Sequence, residues 1–193
     1  MSRWRWLVKW FLAIPHFIVL AFLWMAFVVL TVVAFVAILF TGRYPRGIFD
    51  FNVGAMRWTW RVSFYSVSAL GTDRYPPFSL GAEPDYPATL EVAYPERLSR
   101  GMVLVKSWLL AIPHLIIVAL LTGNAGWAWW GGYGQWPGLI TVLTVVAGVI
   151  LLVRGRYPHE MFDLIVGLNR WVWRVVAYVA LMRDEYPPFR LGR

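Results

Sequence analysis

The sequence predicts an all-α membrane protein with two tandem, parallel repeats. Each repeat is expected to hold a transmembrane helical hairpin followed by an amphipathic interfacial helix, which gives about four spans in total. Three features lead to this prediction: two long apolar runs without charge, a set of motifs that occurs twice in one order, and basic residues at the ends of the apolar runs.

The apolar runs separate this chain from a soluble domain. Apolar residues make up 60 % of its 193 residues and charged residues 15 %, whereas soluble domains average about 25 % charged residues. Residues 10–40 and 107–153 contain no Asp, Glu, Lys or Arg, and about 18 or more such residues are typical of a membrane span. The first run exceeds the apolar region of a secretory signal, so we interpret it as a retained membrane segment.

Several motifs recur in the same order in the two halves of the chain. They are Ala-Ile-Pro-His at 13–16 and 111–114, Gly-Arg-Tyr-Pro at 42–45 and 155–158, and Tyr-Pro-Pro-Phe at 75–78 and 186–189. We therefore divide the chain into unit one (1–81), a polar cytoplasmic linker (82–97) and unit two (98–193). The linker is rich in proline and acidic residues and is expected to be exposed to water, and the alternating pattern of 89–94 is typical of a short strand.

Unit two contains about 15 extra residues between its first two motifs, visible as the Gly- and Trp-rich segment 123–138. A Gly-rich backbone facing lipid would lack hydrogen-bond partners, so this segment is expected at a membrane surface, between helices over 104–122 and 139–153. By equivalence of the units, unit one should also turn, near 22–25. The alternative for unit one is a single long tilted helix over 15–40.

The distribution of charge predicts the orientation. Basic residues flank both apolar runs, while the segment 123–138 has no charge, so the positive-inside rule places both termini and the linker in the cytoplasm. The segment 123–138 is then an external loop. Its four tryptophans suit the headgroup layer on the outer side: Trp127, Trp129, Trp130 and Trp136. Although the net charge is +8, basic residues beside apolar runs favour anionic lipid as the partner rather than nucleic acid.

A third helix is predicted in each unit, over 47–70 and 159–181. Each carries a stripe of charge at helical spacing, which would cost about 2.5–3.5 kcal/mol per arginine at mid-bilayer and so favours an interfacial position. We predict that the four arginines of the stripes bind anionic lipid headgroups: Arg57, Arg61, Arg170 and Arg174. Asp50 and Asp163 are the expected ion-pair partners, and the simpler alternative is a charged face with ion pairs inside the protein.

Two histidines, His16 and His114, occupy matching positions in the units. The simplest interpretation is a helix-end histidine that bonds a carbonyl or a headgroup phosphate, and the alternative is a pair of axial haem ligands. The chain contains no cysteine, which excludes disulfides and thiolate metal sites. We find no metal-binding pattern and no catalytic constellation, so no cofactor is predicted.

The motif string Leu-Val-Lys, Ala-Ile-Pro-His, Gly-Arg-Tyr-Pro and Asp-Arg-Tyr-Pro-Pro-Phe resembles the bacterial membrane family called domain of unknown function 4389, once per unit. Unit two departs from it at Glu185, which stands in place of the arginine of the last motif. The resemblance implies a protein of the bacterial inner membrane without an assigned activity, and it supplies no catalytic residue. Because four short spans enclose little interior, we expect a non-enzymatic accessory or scaffold subunit that packs against another membrane protein. The alternative is a small oligomeric channel or transporter, although few polar residues lie in the spans: Thr31, Thr41, Thr141 and Thr144.

Overall fold

A computed structural model describes residues 5–105, 109–123 and 137–189. These residues form six helices, and no strand occurs among them. In chain order the helices are α1 (Arg5–Thr41), α2 (Arg46–Ser66), α3 (Arg100–Val105), α4 (Ile112–Thr122), α5 (Leu139–Arg154) and α6 (His159–Val179). The prediction of an all-helical chain is confirmed, and α2 and α6 are the predicted third helices of the two units.

Unit one contains one long helix rather than a hairpin. α1 runs unbroken for 37 residues, through Pro15 and through the predicted turn at 22–25. That stretch is Phe-Leu-Trp-Met, in which nothing breaks a helix, whereas unit two has glycine at the equivalent point. The expected turn is therefore wrong, and the long helix that we held as the alternative is correct. α1 ends at Thr41, and the residue that follows, Gly42, has a left-handed φ of 70° that suits glycine.

The two units pack against each other in opposite directions. The amide of Leu98, where unit two begins, donates to the carbonyl of Gly42 at the end of α1. At the far end of α2, the Tyr157 hydroxyl just beyond α5 donates to the carbonyl of Ala69, three residues before the carbonyl that Lys9 binds at the start of α1. Unit two therefore runs antiparallel to unit one along the direction of α1. The predicted parallel relation of the repeats concerns their orientation in a membrane and stays a prediction.

Reciprocal tyrosine bonds connect the two units. The Tyr44 hydroxyl donates to the carbonyl of Ala180 over 3.3 Å, and the equivalent Tyr157 hydroxyl donates to the carbonyl of Ala69 over 2.9 Å. The residues after these alanines, Leu181 and Leu70, both have left-handed backbone, with φ of 64° and 50° respectively. Burial raises the pKa of both tyrosines, that of Tyr157 to about 12, so both hydroxyls remain donors. This exchange corresponds to a pseudo-two-fold axis perpendicular to the long helices.

In unit two, α4 and α5 together take the place of α1. A Cβ atom on Gly138 would lie 2.3 Å from the Gly123 nitrogen, so the extra segment leaves and rejoins the helical path at one point. α5 then continues toward Ala69 instead of returning to Gly42, beside which unit two begins. The predicted hairpin of unit two is therefore also wrong. The predicted external loop lies outside the described residues except at its ends, and so do its tryptophans: Trp127, Trp129, Trp130 and Trp136.

The linker packs along α2 and is only partly exposed to solvent. Its side chains alternate, with an inner row that is buried or partly buried: Tyr86, Ala88, Leu90, Val92 and Tyr94. The alternation that suggested a strand thus has a physical basis, but the inner row meets helix side chains, and no partner strand occurs in the described residues. The expectation of a water-exposed linker is wrong for this row.

Within the described residues, one helix is long and apolar enough to cross a membrane, over Val8–Thr41. The apolar helices α4 and α5 are shorter, so the predicted four spans are not confirmed.

Candidate functional site

A groove between the two units is the main candidate site. A cavity of about 190 Å³ opens between α2, the linker and α6. Among the described residues that line it, Arg170, Arg174 and Arg183 are basic and Glu91 is the one acid. Two tryptophans, Trp60 of unit one and Trp173 of unit two, also line the cavity, and their ring centroids are 6.5 Å apart. We call this site the arginine groove. It combines positive charge with aromatic side chains, a setting that suits a carboxylate or phosphate group.

The equivalent arginines of unit one are engaged with their own backbone. Arg57 donates through Nε to the carbonyl of Leu90 over 2.9 Å. Arg61 is 1 % exposed and donates to the carbonyls of Ser79 and Gly81. Burial lowers the pKa of Arg61. The four arginines predicted as a symmetric set therefore divide, with the unit-two pair in the groove and the unit-one pair holding the linker and the chain before it.

The two predicted acidic partners lie near the beginnings of α2 and α6. Asp50 and Asp163 are both exposed, and the bonds described for Arg57 and Arg61 go to carbonyl oxygens. The ion-pair roles assigned to these acids stay predictions.

His16 lies at the centre of an aromatic cluster in unit one. Its side chain is fully buried, its ring stacks on Phe78 with centroids 3.9 Å apart, and Tyr75 lies 4.9 Å away. Trp58 donates from Nε1 to His16 Nδ1 over 3.0 Å, so the remaining proton of a neutral imidazole is on Nε2. The cluster fixes the Tyr-Pro-Pro-Phe segment on α1, and Tyr75 adds a bond to the carbonyl of Leu12.

His114 occupies the matching cluster of unit two with a different bonding pattern. Its ring stacks on Phe189 at 4.7 Å and on Trp171 at 5.5 Å, and its Nε2 lies 3.2 Å from the carbonyl oxygen of Pro187. The indole nitrogen of Trp171 is buried without a hydrogen-bond partner in the described part of the chain. Each histidine is thus enclosed by side chains of its own unit, while a bis-histidine haem would need both rings at one shared cavity. The haem alternative and the headgroup role stay predictions.

Sequence reasoning missed two groups of charged residues. Lys9 is 2 % exposed, pairs with Asp73 over 2.9 Å and lies over the Tyr65 ring. Both members recur in unit two, as Lys106 and Asp184, and that recurrence was the available signal for a pair.

The second missed group is a basic cluster at the end of α1. Arg43, Arg97 and Arg100 line one cavity of about 480 Å³, beside the exposed Phe40. Arg43 meets Arg97 and Arg100 because unit two begins at the end of α1.

The fold defines a helical protein with two internal repeats related by a pseudo-two-fold axis and with one apolar helix of spanning length. This chain belongs to the family described as domain of unknown function (DUF4389), whose sequence pattern matches residues 3–79 and 134–190. The two matches cover more than half of the chain and agree with two tandem copies. No curated protein and no solved structure matches this chain.

Proposed function

We propose that this protein is a membrane-embedded, non-enzymatic accessory or scaffold subunit that packs against another membrane protein and binds anionic lipid headgroups. The observation that carries the proposal is the exposure of α1. Only 17 % of its most apolar 18-residue stretch is buried within the protein, and Phe11, Phe22 and Phe40 are each more than 60 % exposed. Such a surface needs a cover of lipid or protein, because leaving it in water costs about 25 cal/mol per Å².

The arginine groove supports the lipid part of the proposal. Arg170 is exposed at its rim, and Arg174 brings further positive charge beside the carboxylate of Glu91. Arg183 also lines the groove and pairs with Glu185 over 3.4 Å. A guanidinium group can donate two parallel hydrogen bonds to the oxygens of one phosphate. Basic clusters beside apolar surface favour anionic lipids. The groove is therefore suited to the headgroup of a lipid such as phosphatidylglycerol.

Support for the alternative, a channel or transporter, is weaker. The hydroxyl of Thr31 donates to the carbonyl of Phe27, and that of Thr144 lies within bonding distance of the carbonyls of Ile140 and Ser68. Hydroxyls that bond backbone carbonyls of the protein do not provide a pathway for an ion. The accessory role, at the cytoplasmic side of the bacterial inner membrane, remains our leading proposal.

Thermal unfolding of delipidated protein with added lipid tests the headgroup site. Phosphatidylglycerol should raise the midpoint more than phosphatidylcholine does, and Arg170→Gln should remove most of that difference. The matched control is Arg57→Gln at the equivalent position of unit one. It should lower the midpoint in both lipids, because the Leu90 carbonyl loses its donor, and it should keep the difference between lipids. Equal effects of the two lipids on the wild type would contradict the proposed site.

Native purification tests the accessory role. Protein extracted from its own membrane in mild detergent should migrate as a complex with a second membrane protein in fixed stoichiometry, and recombinant protein alone should migrate as a smaller particle. If both migrate alike, and the protein conducts ions in liposomes, the channel alternative replaces the accessory role.

A further inference from the structure

We infer that the protein enters a single leaflet, the cytoplasmic one, with α1 and the α4–α5 pair lying in the plane of the membrane instead of crossing it. The inference rests on the membrane association proposed above and adds how the chain sits in the bilayer. It replaces the hairpin topology that the structure overturned.

The first observation behind this inference is the path of the linker along α2. From its start near Arg61, which bonds Gly81, the linker follows α2 backwards, and its Tyr94 hydroxyl reaches the carbonyl of Tyr44. It therefore runs along most of the length of α2, which packs on α1. The acids on the linker that are exposed include Asp85, Glu91 and Glu96. If α1 stood upright, this charged segment would cross the hydrocarbon beside it, at about 2.5–3.5 kcal/mol for each central charge.

The length of α1 and the place of the extra segment carry the second step. A helix of 37 residues is about 55 Å long at 1.5 Å per residue, against about 30 Å of hydrocarbon. The extra segment of unit two leaves the helical path between Gly123 and Gly138, a point equivalent to the middle of α1. In an upright molecule a Gly-rich segment would emerge at mid-bilayer, where its backbone groups would lack partners. In a molecule that lies flat, the same point is no deeper in the bilayer than the rest of α4 and α5.

The basic ends of the long helices carry the third step. Arg43, Arg97 and Arg100 gather at one end of the molecule, and Arg154 and Arg156 lie at the other, since α5 is antiparallel to α1. An upright orientation would place one of these groups on the outer side, against the positive-inside rule. A flat orientation places both on the cytoplasmic side, in reach of anionic headgroups.

The apolar surface for this contact lies opposite the linker. Exposed apolar side chains cover the outer faces of α1, α4 and α5, among them Val29, Ile116 and Val149. Between α1 and α4 an apolar groove of about 330 Å³ is floored by Val176 and Val179 of α6. The molecule thus has one apolar face formed by the long helices and one charged face formed by the linker, as an interfacial protein requires.

Single-cysteine labelling tests the orientation, because the chain has no cysteine of its own. The variants are Arg43→Cys and Arg154→Cys at the two ends, Glu91→Cys on the linker, and Val29→Cys on the apolar face. Each is reacted with a membrane-impermeant maleimide in inside-out and right-side-out vesicles that have been washed with carbonate. All four positions are exposed in the protein itself, and Arg100→Cys and Arg156→Cys serve as a second pair if either end variant fails to fold.

We expect Arg43→Cys, Arg154→Cys and Glu91→Cys to label fully in inside-out vesicles and to be protected in right-side-out vesicles. Val29→Cys should be protected in both and should react after detergent is added. Labelling of the two ends from opposite sides, or protection of Glu91→Cys in both preparations, would overturn the in-plane orientation while leaving membrane association intact. Release of the protein by the carbonate wash would instead overturn the proposed function.

Discussion

Unit one and unit two carry the same motifs but use their arginines and their long helix differently. Unit one keeps α1 unbroken and binds Arg57 and Arg61 to carbonyls of the linker and of its own last residues. Unit two interrupts the equivalent helix and leaves Arg170 exposed at a groove. The tyrosine bonds and the aromatic clusters around His16 and His114 occur in both. The comparison teaches that the shared motifs specify how the units pack, while the unshared surroundings decide which side chains remain available to a ligand.

The largest effect is expected at the buried lysine of unit one. Lys9→Ala should lower the free energy of unfolding by about 3 kcal/mol, the lower end for breaking a buried pair, since the Asp73 side chain is 25 % exposed. Chemical unfolding in detergent, followed by tryptophan fluorescence, measures it. If the units match here, Lys106→Ala should cost a similar amount. The double variant Lys9→Met/Asp73→Leu should cost less than Lys9→Ala, and a loss below about 0.5 kcal/mol for Lys9→Ala would contradict a structural pair.

The two equivalent tryptophans should differ in their response to one substitution. Trp58→Phe removes the donor to His16 Nδ1, whereas Trp171→Phe removes a buried N–H without a partner in the described residues. The loss of volume is the same in both. Unfolding free energies should therefore fall by about 1–3 kcal/mol more for Trp58→Phe. Equal losses would show that the indole–imidazole bond has no net stabilising effect.

The reciprocal tyrosine bonds offer a smaller contrast. Tyr157→Phe removes one hydrogen bond and should cost about 1 kcal/mol. Tyr44→Phe also removes the acceptor of Asn52 Nδ2, so it should cost about 2 kcal/mol. Unit two has Ile165 where unit one has Asn52. In an Asn52→Ile background, the further cost of Tyr44→Phe should fall to that of Tyr157→Phe, measured by the same unfolding assay, and an unchanged cost would rule out this coupling.

The smallest effect on stability is expected from removing the extra segment of unit two. Deletion of residues 124–138 with Gly123→Met gives unit two the spacing of α1. Because Gly123 and Gly138 already lie together, the helix should close without rearrangement and the unfolding midpoint should change little. A large loss would show that the extra segment supports the fold. Helix content by circular dichroism provides the control.

The sequence predicted most of the helices and the repeat but not how the repeats meet. Helical periodicity and capping are local properties, so α2, α5 and α6 began at the expected residue or one residue before it. The helix expected over 104–122 differs, because α3 ends at Val105 and α4 begins at Ile112. The wrong turn near 22–25 came from imposing the glycines of unit two on unit one, which lacks them. The antiparallel packing depends on contacts between residues far apart, such as Leu98 with Gly42, and no motif encodes their direction.

The candidate site was predicted in part for a similar reason. The spacing of the arginines placed Arg57 and Arg170 on equivalent helix faces, but burial depends on what covers each face. The linker covers the face that carries Arg57, which bonds the carbonyl of Leu90. The face that carries Arg170 remains open at the groove. The pair of Lys9 with Asp73 could have been predicted from the sequence, since both residues recur in unit two. Charged residues beside an apolar run instead suggested contacts with lipid headgroups.

The mutual exchange of Tyr44 and Tyr157 is the pattern of an isologous homodimer. Gene duplication followed by fusion through the linker would convert such a dimer into one chain, raising the effective concentration of each half for the other. An ancestor with a single unit would then have needed a second copy of itself to satisfy the same carbonyls.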